Sequence, residues 1–151
     1  MAASSLTYRA RMLIGPAEQD IGAGPVGNTS NKIFANDPMI WDQANTRLDL
    51  LDAATEDINF VGVSLGTYDP DKTKVKSNLS YARKCTIRCT AAAAGAHPVG
   101  TPVKYGTDGR TSVSDTDTIG WLAKASTAAD TEWDILIDIS KLGKQIGVVS
   151  A

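Results

Sequence analysis

Cys85 and Cys89 stand four residues apart in the run RKCTIRCT. The intervening Thr-Ile-Arg favours a strand. On a strand, positions i and i+4 share a face but lie about 13 Å apart, at ~3.3 Å per residue. A disulfide tolerates a Cα separation of up to about 7 Å, so the spacing predicts two reduced, partly buried thiols. A metal pair is the sharper alternative. Zinc, however, takes about four ligands, and the chain offers a single histidine, His97. Any Ser-His-Asp or Cys-His scheme would rest on that same histidine. Pro98 follows it, and no serine lies in a G-x-S-x-G turn. A loop histidine is the expectation.

The run GAGPVG, Gly22 to Gly27, has the letters of a dinucleotide-binding loop. Such a loop needs a strand before it and a helix after it, so that backbone N–H groups and the helix N-terminus meet the pyrophosphate. Pro25 interrupts the run, and NTSNK follows without helical periodicity. A flexible link is expected instead. The carboxylates, among them Asp37, Asp69 and Asp117, are spread along the chain, and nothing in their spacing points to a glycosidase pair. Asp69-Pro70-Asp71 faintly suggests a calcium loop but lacks the glycine and the closing glutamate that complete the coordination shell. It reads as a turn. Trp41, Trp121 and Trp133 could form a ligand platform, although aromatics on strands more often serve a core or an interface. No catalytic residue, metal site or cofactor site is predicted, and the chain is not expected to be an enzyme.

These residues need a scaffold, and 151 residues suit one domain, or one domain with an ordered arm. A hydrophobic share of 42% and a charged share of 21% are globular values. The net charge of -2 argues against a general electrostatic grip on nucleic acid, which needs clustered Lys and Arg. No run of about 18 apolar residues exists, so no membrane span is predicted. The apolar run Met12 to Ile14 is too short for a signal-peptide core. The expectation is a protein made inside a cell, with Asn28-Thr29-Ser30 and Asn78-Leu79-Ser80 as chance glycosylation triplets.

Residues 1–30 are dense in Gly and Pro, which break both helices and strands. They read as an extended N-terminal arm with a strand-like patch from Leu6 to Ile14. Its alternation puts Leu6, Tyr8, Ala10, Met12 and Ile14 on one face. Residues 31–151 read as a β-rich domain. INFVGVSLG, Ile58 to Gly66, is the clearest buried strand, and Trp133 to Ile139 alternates. Many short strands between turn residues indicate an all-β sandwich or barrel. Arg47 to Asp57 could form a turn or two of helix. Basic residues gather between Lys72 and Arg88; they suit an acidic protein surface or a solvated edge strand guarded by lysines.

Two stretches also resemble each other. DPMIWD, Asp37 to Asp42, precedes FVGVSLG, Phe60 to Gly66; TPVKYG, Thr101 to Gly106, precedes TIGWLAKA, Thr118 to Ala125. Each unit has a proline, a short strand with an aromatic three residues on, a polar region, and a strand with glycine third. Residues 36–68 and 99–130 therefore read as two loose copies of one β motif, closing one barrel or sandwich. Two copies are too few for a solenoid.

The run GTPVKYGTDGRTSV, followed by DTIGWLAKASTAADTEWDILIDI, resembles the C-terminal pattern of small tailed-phage head decoration (capsid cement) proteins. DPMIWD with NFVGVSLG looks like a more divergent second copy. The resemblance spans roughly residues 36–140, and the segment Asp69 to Arg88 between the copies departs from it. It implies a β-tulip-like body with an N-terminal arm. It also implies a homotrimer on the virion's capsid surface, bound to the major capsid protein and stabilising the shell, with no active site, metal or cofactor. Leu6, Tyr8, Arg9, Arg11 and Met12, in the arm, are the residues expected to make partner contact. The rival expectations are a tail-tube or head–tail connector subunit and a β-barrel ligand-binding module.

Overall fold

Period-two alternation places the two longest strands. KCTIRCT buries Cys85, Ile87 and Cys89, while EWDILID buries Trp133, Ile135 and Ile137. They pair antiparallel along their whole length, from Glu132 opposite Thr90 to Asp138 opposite Lys84. The computed structural model describes residues 6–27, 29–52, 59–72 and 77–142. Within them the strands are β1 (Arg11–Ile14), β2 (Ile21–Val26), β3 (Pro38–Asp42), β4 (Arg47–Leu50), β5 (Phe60–Ser64), β6 (Ser77–Ala82), β7 (Lys84–Thr90), β8 (Pro102–Tyr105), β9 (Thr111–Val113), β10 (Gly120–Leu122) and β11 (Glu132–Asp138). One 3-10 turn, Glu18–Asp20, joins β1 to β2, and a short helix, α1 (Ile139–Leu142), follows β11.

The strands form two antiparallel sheets. The first has the order β2-β6-β5-β3-β4, the second β1-β7-β11-β10-β8-β9. With β1 set aside, the second order is the first one again, with each strand replaced by the strand five places later in the chain. The repetition extends to single hydrogen bonds. Ile33 and Tyr68 bridge through both backbone N–H groups, as do His97 and Ser126. The Asn36 N–H donates to Ser64 O (2.7 Å), and the Gly100 N–H to Leu122 O (2.8 Å). The Leu51 N–H donates to Pro38 O and the Ser114 N–H to Pro102 O, both at 3.0 Å. Asn36 and Gly100 both have positive φ, 75° and 90°. Only Gly, and less readily Asn, takes that conformation cheaply.

The two units seen in the sequence thus occupy matching places in two different antiparallel sheets that share a core, so the all-β expectation holds and a closed barrel is not shown. Gly62 lies opposite Met39, and Gly120 opposite Val103, each one residue after the proline. A Cβ on Gly62 would collide with the Ala82 carbonyl, and one on Gly120 with the Leu136 carbonyl. Glycine third in each unit is therefore what lets β5 and β10 sit against β6 and β11. With β1 again set aside, the outer strands of each five-strand set also approach each other. Arg47 Nη1 donates to Gly27 O at 3.4 Å across the first sheet, and the Ala92 N–H donates to Thr111 O at 2.7 Å across the second. Neither sheet is shown to close by a continuous ladder.

One face of the first sheet, with Met39, Leu48, Val61, Leu79 and Tyr81, packs against Ile33 and Tyr68 as one core. Its other face, with Ile40, Phe60, Val63 and Ala82, covers the second sheet's interior and completes a second core. This is why all of FVGVS is buried: a strand covered on both faces needs a continuous apolar run.

Residues 6–26 are not an arm. β1 is hydrogen-bonded to β7, and β2 to β6. The run GAGPVG, expected as a flexible link, lies mainly in β2, because Gly22 leaves room for the Tyr81 ring and Gly24 for Leu48. Only Arg11–Ile14 of the expected Leu6–Ile14 strand is a strand. Arg47–Leu50, expected as helical, is β4. Residues 53–58 and 73–76, which cover the end of the helix candidate, the first residue of the Ile58–Gly66 strand and part of the basic run, lie outside the described residues.

Gly120→Ala is expected to lower stability by roughly 1–3 kcal/mol, the range for overpacking. Gly15→Ala, with open space around its Cβ position, should stay within about 0.5 kcal/mol of wild type. Urea unfolding of the two variants checks the contrast.

Candidate functional site

Sequence reasoning puts partner contact at Leu6, Tyr8, Arg9, Arg11 and Met12. The structure spends most of these side chains on joining the two sheets. Leu6 is buried in the first core, while Ala10 and Met12 pack on the second. The Tyr8 N–H donates to Asp108 O at 3.0 Å, just before β9. Its ring lies 4.8 Å from the Arg110 guanidinium, which Asp108 holds at 2.8 Å. Arg9 Nη1 donates to both carboxylate oxygens of Asp37, at 2.7 and 2.6 Å. The same guanidinium sits 3.9 Å over the Phe34 ring. The segment is a strap: Leu6 and Arg9 grip the first repeat, and Tyr8, Ala10 and Met12 the second.

Asp37 is 1% exposed, next to the Arg9 guanidinium. Burial raises its carboxyl above the ordinary 3.8, against the opposing pull of the Phe34 N–H and Arg9. No feature of the sequence marks Asp37 apart from the other aspartates, and it is the residue that fixes the strap. Tyr8 and Arg11 remain open to solvent, with Arg11 only 3.5 Å from the exposed Glu132. Leu13 and Ile14, within the Leu6–Ile14 patch but not among its named contact residues, are also exposed. Alternation predicts Ile14 buried beside Met12, but the register between β1 and β7 slips between Met12 and Ile14. That bulge turns the end of the strand outward.

The other candidates fall apart in space. Cys85 and Cys89 are free and buried, and burial pushes both thiols up to about 12. Neither is a thiolate at neutral pH. His97 bridges to Ser126, and its ring meets the buried Trp133 edge-on, with centroids 5.6 Å apart. Trp41 packs on the first core, whereas Trp121 lies opposite Leu136 on the outward side of β10. The Asp71 N–H donates to Asp69 Oδ1, an Asx turn, and the Ala129 N–H makes the matching bond to Thr127 Oγ1 in the second repeat. Among the described residues no group of three or more His, Cys, Asp or Glu could hold a metal ion. No helix among them is long and apolar enough to cross a membrane.

A polar cleft of about 330 Å³ lies on the outward side of β7 and β11. Arg88 and Asp134, two of its lining residues, are bound to each other at 2.7 and 3.2 Å. The guanidinium holds the Asp134 carboxyl below its usual range. Compared with known proteins, the chain matches no family model and no curated sequence.

Arg9→Met should cost roughly 2 kcal/mol at neutral pH, less than the ~3–5 kcal/mol for breaking a fully buried pair, because Arg9 is partly exposed. Without the guanidinium, the folded-state value for Asp37 climbs further above 3.8. The variant then takes up a proton on folding. Its deficit should shrink as pH falls from that raised value to the wild-type folded value, itself above 3.8. Unfolding midpoints of both proteins across pH 4–8 check the sign.

Proposed function

We propose that the protein works by contact rather than by chemistry, as a decoration protein of a tailed-phage head. It binds the outer surface of the assembled shell, bridges major capsid protein subunits and stands there as a homotrimer. Binding the assembled shell alone adds RT ln(1 + [L]/Kd) per site to its stability. The observation that carries this reading is the use made of the residues behind the resemblance. Asp37 to Gly66 and Thr101 to Ala125 supply strands of the frame that the chain builds twice. Such a frame holds a surface rigid at little entropic cost on binding. Tyr8 and Arg11 offer the shell an aromatic and a cation on a strap fixed to both sheets.

Tagged protein recovered from infected lysate should carry one dominant shell-forming protein in near-stoichiometric amount. Tyr8→Ala with Arg11→Glu should weaken binding to purified shells about tenfold, near 1.4 kcal/mol, with native circular dichroism and an unfolding midpoint lowered less than by Arg9→Met. Arg9 is unsuitable for this test, since its loss would disturb the fold. Recovery of no shell protein, or tubes and rings formed by the protein alone, would reject decoration.

A further inference from the structure

β2 is an end strand of the first sheet, paired on one side with β6. In an antiparallel pair, residues bonded across the ladder alternate with residues whose N–H and C=O point away from it. The Arg83 N–H donates to Asp20 O at 2.8 Å, and the next residues, Ile21 and Ala82, stand opposite each other. Asp20 is therefore of the first kind, and Ile21, Ala23 and Pro25 are of the second. Pro25, which has no N–H, sits where the ladder to β6 asks for none. The Ile21 N–H turns back to Glu18 O. Ile21 O and both backbone groups of Ala23 face away from β6, and among the described residues no strand pairs with that side. Both residues are exposed.

The second repeat shows what such an edge takes. The carbonyls that crowd Gly62 and Gly120 make Ala82 the counterpart of Leu136. Ile21 lies opposite Ala82 and Thr86 opposite Leu136, so Ile21, Gly22 and Ala23 match Thr86, Ile87 and Arg88. Counted on in the same register, Gly27 matches Ala92, and these two residues make the bonds to Arg47 in β4 and Thr111 in β9. In the second repeat β1 covers the stretch, with Ile14 opposite Thr86, Met12 opposite Ile87 and Arg11 opposite Arg88. In the first repeat the same stretch is open.

We infer that the edge at residues 21–23 binds an extended segment of a partner protein, antiparallel to β2, as β1 lies on β7. The segment carries free N–H groups where it faces β2, which excludes proline there, and an apolar side chain opposite the exposed Ile21. Pro25 stops the pairing further along, so β2 does not template a longer sheet. The contact needs no shell, and it stands or falls apart from the decoration reading.

The probe is a synthetic peptide of residues 9–15, RARMLIG, the sequence already accepted at the matching edge. Added at about 2 mM, where weak contacts register, to the isotope-labelled full chain, it should shift the amide resonances of Ile21, Gly22 and Ala23 and slow hydrogen exchange at Ala23. The same peptide N-methylated at the positions of Arg11 and Ile14, which stand opposite Arg88 and Thr86, should leave them unmoved. Ala23→Pro removes the edge donor on the side where Pro25 is already accommodated; it should keep native circular dichroism and lose the peptide shifts. No shift at residues 21–23 would overturn the inference, as would an N-methylated peptide that binds equally well. Shifts confined to β7 would mean that the peptide displaces β1, and concentration-dependent protection of Ala23 without peptide would assign the edge to a second copy; either result also overturns it.

Discussion

The first sheet has to hide two faces. A sheet with one solvated face needs only alternate apolar residues, and β7 and β11 meet that demand. The first sheet lies between its own core and the second core, so β5 is buried throughout and apolar up to Ser64. Its polar groups must then be satisfied inside the protein. Asp49 shows how: it accepts hydrogen bonds from Thr29 Oγ1, Asn31 Nδ2 and the Leu50 N–H, at 2.7, 3.0 and 2.8 Å. Through Phe60, whose ring lies 6.2 Å from Tyr105, the same sheet forms part of the second core. The second core is therefore incomplete without the first sheet, and the first sheet's other face is uncovered without the second repeat.

The strap follows from this arrangement. Two sheets meeting over one apolar layer slide unless something directional fixes them, because apolar contact is non-directional. The paired donation of Arg9 to Asp37 and the bond from the Tyr8 N–H to Asp108 O are directional, and they lie five residues or fewer from β1. A rigid joint between the repeats is also what a contact surface spread over both of them requires.

Much of the fold was legible because it rests on short-range patterning. Alternation marks β11, the apolar run marks β5, and proline followed by an aromatic marks β3 and β8. The placing of Gly62 and Gly120 exposed the repeat at the level of letters. Where the reading failed, the cause was tertiary. β2 looks like a link because its glycines suit a flexible chain equally well; they are there for Tyr81 and Leu48, which lie far along the sequence. Arg47–Leu50 has no strand signature, and pairing with β3 makes it one. Of the contact residues, Tyr8 and Arg11 are exposed, but Leu6 and Arg9 are absorbed by partners whose identity only the fold reveals. Exposed Ile14 depends on a bulge that no residue type announces.

The match between the repeats breaks at one telling place. Two residues after each proline stand Ile40 and Lys104, and two residues before each paired glycine stand Phe60 and Thr118. In the first repeat these side chains lie in the layer between the sheets. In the second they are half-buried and polar, and the matching Leu51 is replaced by Ser114. The series of units is thus capped in the way that the last member of a repeat array is capped, with a polar outer face. Among the described residues, that face offers no apolar layer for a third unit to cover.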